Sequence, residues 1–281
     1  MVLAYIQPQE HPTTITVPAL SGVRYTPAAM MPAPATSSFA LWNIHQQLMS
    51  RQFVDLTHDF APDNPPSQGF EDVRCELVRS YSADGCLAHR YSFVGKWGTH
   101  GVAPAQLVPY LRTLDQIDVR EMILPLVVID ISAAVAADPD YCVTIEDIRA
   151  WENKNGLVPS GSCAVLRSDW SWRWPNVEAM ENRDAQGISH TPGWSFEVLS
   201  YLCEEADVYA IGHETFTTEP GAISTQHIAP LERYLLSTNR YQLALLTNLD
   251  MLPEAGALVV ATFPKPTGGT AFPARVFAIL P

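Results

Sequence analysis

The sequence predicts an α/β domain. Three observations carry that prediction. "ILPLVVIDIS" at 123–132 is a continuous, largely β-branched run of the kind buried on both faces of a sheet. "TIEDIRAWENKNG" and "SFEVLSYLCEEA" are capped segments with helical apolar spacing. Runs of these two kinds alternate along most of the 281 residues, as in an α/β domain whose functional groups sit at strand ends.

Residues 1–38 come first. They include "PALSGVRYTPAAMMPAPATSS", where Pro, Ala, Ser and Thr leave too little apolar periodicity for a core. They are expected to be an extended N-terminal arm, either an unstructured tail or a strap on a neighbouring subunit, ahead of a folded domain at 39–281. In "FALWNIHQQLM", Leu41, Ile44 and Leu48 recur at helical spacing, with Ser37 or Ser38 available as cap. "RQFVDLTHDF" reads as a strand ending in a polar turn, and "LAHRYSFVGKWGTH" as a second extended stretch. In "TIEDIRAWENKNG", Thr144 caps with Asp147 three residues on, Ile148 and Trp151 share a face, and Gly156 stops the helix. "GSCAVLRSDW" is a buried strand, and "DVYAIGHET" is a strand that empties into a polar loop. The strands "YQLALLTNL", "ALVVATFP" and "ARVFAIL" close the chain.

A net charge of -13, with no Lys/Arg cluster to overrule it, argues against nucleic acid and anionic membrane surfaces as partners. No apolar run approaches the roughly 18 residues needed to span a bilayer, and the N-terminus lacks a basic region followed by a long apolar one, so a cytoplasmic protein is expected. Cys75, Cys86, Cys142, Cys163 and Cys203 are odd in number and contain no C-x-x-C pair, as for reduced core residues.

The stretches "FVDLTHDF", "WGTH", "AVLRSDW", "TPGWS", "AIGHET", "TNLDMLP" and "GGTAFPARVFAI" together resemble the cyclase family, which includes kynurenine formamidase and isatin hydrolase. The resemblance runs from about residue 40 to the C-terminus. It implies a swivelling β/α/β-type fold with a mixed central sheet and flanking helices. It also implies a homodimer or homotetramer, and hydrolysis of amide bonds in small, often aromatic or cyclic substrates with zinc or manganese. The family's metal motif resembles H-x-G-T-H-x-D-x-P-x-H, followed by H-R-x-L-L and, twelve residues after that His, a Glu. Laid on this chain, the first His position holds Lys96, the second is kept as His100, the Asp position holds Val102 and the last His position holds Gln106. Glu232 stands where the later His would be, and Ala244 where the Glu would be.

The residue chemistry agrees with that departure. On an extended strand, positions 96, 98, 100 and 102 would share one face, and here that face offers Lys, Gly, His and Val. An ammonium repels a divalent cation, and Val and Ala have no lone pair to give. Because a catalytic zinc site usually needs at least three protein ligands, no metal and no other cofactor is expected. Lys96 and Glu232, replacing ligands of a single ion, are expected to form an ion pair. Lys96 can stabilise an oxyanion, and His100 can carry a proton near neutral pH.

These three are the candidate catalytic residues. Candidate substrate-binding residues are Trp97, Gln106, His58, Trp170, and His213 with Glu214, of which only one should reach the pocket because neighbours on a strand face opposite ways. One or two of Trp97, Trp170, Trp172, Trp174 and Trp194 are expected to line the cavity. There is no G-x-S-x-G elbow and no H-E-x-x-H. The expected function is metal-independent acid-base ring closure, dehydration or isomerisation of a small carbonyl or aromatic compound. The alternatives are a metal-dependent amide, lactam or N-formyl hydrolase and a non-catalytic small-molecule-binding pseudoenzyme.

Overall fold

The apolar run at 123–132 forms the strand Ile123–Asp130 near the middle of a nine-stranded mixed sheet. The computed structural model describes residues 39–62, 64–65 and 73–281, so the arm expected over 1–38, with its Ser37 or Ser38 cap, lies outside the described residues. The chain divides into two units, 1–44 and 45–281. The first is represented by the start of the helix Ala40–Met49, none of whose residues is buried.

The strands of the second unit are β1 Phe53–Asp55, β2 Arg74–Arg79, β3 Ala88–Ser92, β4 His100–Val102, β5 Ile123–Asp130, β6 Cys163–Arg167, β7 Ala210–His213, β8 Tyr241–Ala244, β9 Leu258–Thr262, β10 Ala271–Pro273 and β11 Arg275–Ile279. The large sheet has the order β1-β11-β9-β5-β6-β7-β8-β4-β10. β5, β6, β7 and β8 run parallel, and the remaining neighbours pair antiparallel. β2 and β3 form a separate two-stranded ribbon with an irregularity between Leu77 and Arg79.

Alternation along the strands explains why the central runs are apolar throughout. Val127 and Ile129 of β5 turn to one core with Leu166, Ile211, Ile148, Trp151, Val198 and Leu235. Leu126 and Val128 turn to the other, with Leu56, Leu114, Leu243 and Val276. Burying each such side chain contributes about 1.5–3 kcal/mol relative to exposure. The helix Ile145–Asn155 starts at the Thr144–Asp147 capping box and stops at Gly156, as its sequence dictates. The segment from Phe196, capped by Ser195, passes at Tyr201 from α-helix into a π-turn ending at Glu205.

Two expectations are corrected. All five cysteines are free, but only Cys163 and Cys203 are core residues; Cys86 is exposed, and Cys75 and Cys142 are half-buried. The extended stretch "LAHRYSFVGKWGTH" breaks at Phe93, so Lys96 and Gly98 do not share a strand with His100. Gly98 takes φ 58, a left-handed turn conformation, and a Cβ at Gly95 would sit 2.2 Å from the Ala271 carbonyl oxygen. The backbone therefore turns through 95–99 and becomes a strand only at His100. No helix among the described residues is long and apolar enough to cross a membrane.

Candidate active site

The adjacent strands β4, β8 and β7 set the geometry. His100 is the register partner of Ala244, and His213 lies one step beyond the Gly212–Leu243 pair. Register partners project to the same face, so His100, Ala244 and His213 form one row, with the short Ala244 methyl between two imidazoles. Both histidines are buried, at 1% and 2% exposure, and the Nε2 atom of each has no hydrogen-bond partner. His100 Nδ1 lies 2.7 Å from the Gly98 carbonyl oxygen, and Trp194 Nε1 donates to His213 Nδ1 at 3.4 Å. Burial, with the Lys96 charge adding to it, pushes the His100 pKa down to about 3. Burial, with His100 and Lys96 nearby, does the same to His213, also to about 3. Both rings are neutral at physiological pH.

The turn at 95–99 delivers Lys96 to this row. Its Nζ is 3.3 Å from Glu232 Oε1, so the ion pair anticipated from the substitution pattern is present. Gln242, two residues before Ala244 and hence on its face, donates from Nε2 to the same oxygen at 2.6 Å and accepts from Thr218 Oγ1 at 2.6 Å. Glu232 sits in the first turn of the helix Pro230–Ser237, which has no side-chain cap of its own. The buried Glu219 supplies one from a distant segment, its Oε1 accepting the Glu232 N–H at 2.8 Å. A carboxylate is favourable at that positive helix end. Burial nevertheless raises the Glu219 pKa, and the nearby Glu232 charge adds to the rise.

The other candidate residues are placed elsewhere. Glu214 faces away from His213 and holds the 168–171 segment: Oε2 accepts from Ser168 N at 2.7 Å, Ser168 Oγ at 2.9 Å and Trp170 N at 3.2 Å, and Oε1 accepts from Ser171 Oγ at 2.7 Å. Trp170 is buried with Nε1 on the Met180 carbonyl, and the Arg173 guanidinium lies over its ring at 3.6 Å. Trp97 is buried against Phe60 and Phe93. Gln106 accepts from Thr270 Oγ1 at 2.5 Å. His58 stacks on Trp174 at 4.7 Å beside a pocket of about 260 Å³ that it lines with Thr57, Phe60 and Thr99. Its backbone N–H donates to Thr99 Oγ1, which donates onward to the Leu245 carbonyl at 2.5 Å. Trp194, one of the tryptophans expected at the cavity, is the one that meets His213, whereas sequence reasoning missed Gln242, Thr218 and Glu219. Only Gln242 left a readable signal, the two-residue spacing from Ala244 along a strand.

At the positions that carry metal ligands in the family pattern, this chain offers few donor atoms. Lys96 brings an ammonium, Glu232 is engaged with Lys96 and Gln242, and Val102 and Ala244 offer no donor atom. Among the described residues no group of three or more His, Cys, Asp and Glu side chains is gathered so as to hold a metal ion.

Breaking the Lys96–Glu232 pair from one side leaves a buried charge. Lys96→Met should lower the free energy of unfolding by about 3 kcal/mol, the low end for a buried pair because the lysine side chain is 17% exposed. The double variant Lys96→Met/Glu232→Gln, which strands no charge, should cost less than Lys96→Met alone. Urea denaturation of wild type and the two variants checks this, and a double variant at least as costly as Lys96→Met would refute it.

Neighbouring strand ends bring two imidazoles together, and a turn and a helix start add an ammonium and a carboxylate to them, a cluster that suits an α/β enzyme. The chain belongs to the Cyclase family, whose sequence profile matches residues 54–220. It is 33% identical to the isatin hydrolase of Roseibium aggregatum over 235 residues, 81% of this chain and 86% of that protein. The solved structure of an isatin hydrolase bound to the product analogue thioisatinate superposes with a TM-score of 0.81 at 30% identity, covering 88% of this chain and 99% of that one. For isatin hydrolase A from Ralstonia solanacearum the TM-score is 0.79 at 30% identity, with 90% and 100% covered. The fold implied by the sequence resemblance is therefore the fold observed.

Proposed function

We propose that this chain is a metal-independent member of its family that catalyses acid-base ring closure, dehydration or isomerisation of a small carbonyl compound. The observation that carries the reading is the bare, buried Nε2 of His100 beside the Lys96–Glu232 ion pair. His100 acts as the base. Lys96, held by Glu232, supplies positive charge where an oxyanion develops, and Glu232 is in turn oriented by Gln242. Burial holds the His100 ring unprotonated, which leaves its Nε2 lone pair free to accept a proton. Histidine and lysine side chains alone suit proton transfer better than hydrolysis, for which a bound cation would lower the pKa of water. The 33% identity to an isatin hydrolase supports a second reading, a metal-dependent hydrolase of an amide, lactam or N-formyl C–N bond.

The test uses two probes on one preparation: isatin, read as ring opening, and oxindole, read as exchange of its acidic α-protons in D2O. Oxindole exchange that survives chelation, in protein holding less than one equivalent of transition metal, is expected. Isatin hydrolysis abolished by chelation and restored by manganese or zinc establishes the second reading instead. Activity on neither probe, with both bound, points to a binding protein. A homodimer or homotetramer, as the sequence resemblance implies, and a place in the cytoplasm are part of the same proposal.

A further inference from the structure

The hydrogen-bond partners of the two buried histidines fix their tautomers. The Gly98 carbonyl oxygen can only accept, so at 2.7 Å from it His100 Nδ1 carries the ring proton and Nε2 is a lone pair. An indole N–H can only donate, so His213 Nδ1, which receives the Trp194 Nε1–H, is the bare nitrogen and Nε2 carries the proton. The opposite assignments would set two acceptors against each other at Gly98 and two donors against each other at Trp194. Neither Nε2 has a partner, although both are buried, and a buried polar atom left without one calls for an explanation.

We infer that His100 and His213 form an acceptor–donor clamp across Ala244, a lone pair on one side and an N–H on the other, built for a small neutral compound with an acidic proton next to a carbonyl oxygen. The inference deepens the proposed function and rests on it for the chemical step. The neutrality of both rings follows from burial and the nearby Lys96 charge, which disfavour protonation of either. A lone pair beside an N–H suits a compound that presents an acidic proton next to an oxygen, whereas a cation would meet the His213 N–H and the Lys96 ammonium.

In the step, the C–H or N–H bond beside the carbonyl breaks and its proton moves to His100 Nε2. The electron pair of that bond becomes the new double bond to the carbonyl carbon, and the former carbonyl π pair moves onto oxygen. There the charge meets His213 Nε2–H and the Lys96 ammonium. Return of the proton to a different atom gives an isomer, with no oxidant, reductant or water consumed. His213 is thus a catalytic residue and Trp194 a positioning residue that selects its tautomer.

The tautomers can be read without any turnover. In the full-length protein labelled with 15N-histidine, long-range 1H–15N correlation separates the two neutral ring forms, and His100→Asn and His213→Gln assign the signals by their loss. His100 is expected as the Nδ1–H form and His213 as the Nε2–H form at neutral pH. Trp194→Phe is expected to release His213 into a mixture while leaving His100 unchanged. His213 in the Nδ1–H form, or either ring charged at neutral pH, overturns the clamp; if Trp194→Phe fails to fold, the wild-type spectrum decides alone. An unchanged His213 in folded Trp194→Phe overturns the part assigned to Trp194.

Added oxindole should move the His100 and His213 ring signals together, and movement of neither overturns the substrate class. Movement of both without α-proton exchange refutes the catalytic reading and leaves the clamp standing. Where exchange occurs, His213→Leu should lower it by about 10²–10³-fold, the usual loss of one oxyanion donor, while His213→Gln, whose amide N–H reaches the Nε2 position, should stay within about tenfold of wild type. Equal losses in the two variants would overturn the donor role.

Discussion

Glu214→Ala is expected to destabilise the protein by about 4 kcal/mol, a large part of the roughly 5–15 kcal/mol that holds a typical domain folded. The carboxylate accepts from Ser168 N, Ser168 Oγ, Trp170 N and Ser171 Oγ, all buried. Alanine leaves each donor stranded at about 1–3 kcal/mol. The lower end applies, because the substitution also removes the cost of burying the carboxylate, the cost that raises the Glu214 pKa despite four hydrogen bonds. Glu214→Gln should fall between the two, since its amide keeps one acceptor but turns an NH2 toward donors. Chemical denaturation measures all three, and a loss below about 1 kcal/mol would show that the 168–171 segment is held by something else.

His100→Asn is expected to leave the fold intact and to lower oxindole exchange by roughly 10²–10⁴-fold, the range for losing a general base. The asparagine amide can still donate to the Gly98 carbonyl in place of Nδ1, but it places no lone pair where Nε2 stood. Wild-type exchange in a folded variant would remove His100 from the chemistry. A lowered melting temperature with undiminished turnover of the folded fraction would make it a core residue only. Melting and exchange should therefore be recorded on the same preparation.

The fold was legible in the sequence wherever a segment carries its own reason. β5 is apolar at nearly every position because two cores claim its two faces, and the helix at 145–155 begins and ends on residues that cap it. Within the candidate site, the Lys96–Glu232 pair could be anticipated because both stand at positions that serve one ion in the family pattern. The path of Lys96 could not. Its place depends on Gly98 taking a left-handed turn and on Gly95 lying against Ala271, a contact across more than 170 residues of chain. His213 and Glu214 illustrate the same limit. Alternation requires them to diverge, but only the register of β7 against β8 shows that His213 joins His100 and that Glu214 goes to the 168–171 segment. Trp194 and Thr218 reach the cluster through loops, which carry no periodicity to read.

The β2–β3 ribbon has a consequence for how the molecule breathes. Its residues are half-buried or exposed, and a lone two-stranded sheet is marginal in water. Its amide protons should therefore exchange with solvent through local openings far cheaper than global unfolding, whereas those of β5, β6 and β7, buried on both faces, should exchange only when the whole domain opens. Phe60 touches the aromatic rings of Tyr91 in the ribbon and of Trp97 next to Lys96. Two regimes of motion thus meet at one phenylalanine: a ribbon that fluctuates on its own and a sheet that holds the two histidines still. Hydrogen exchange followed by mass spectrometry would resolve them as two kinetic classes of peptide, with the boundary falling between residues 92 and 100.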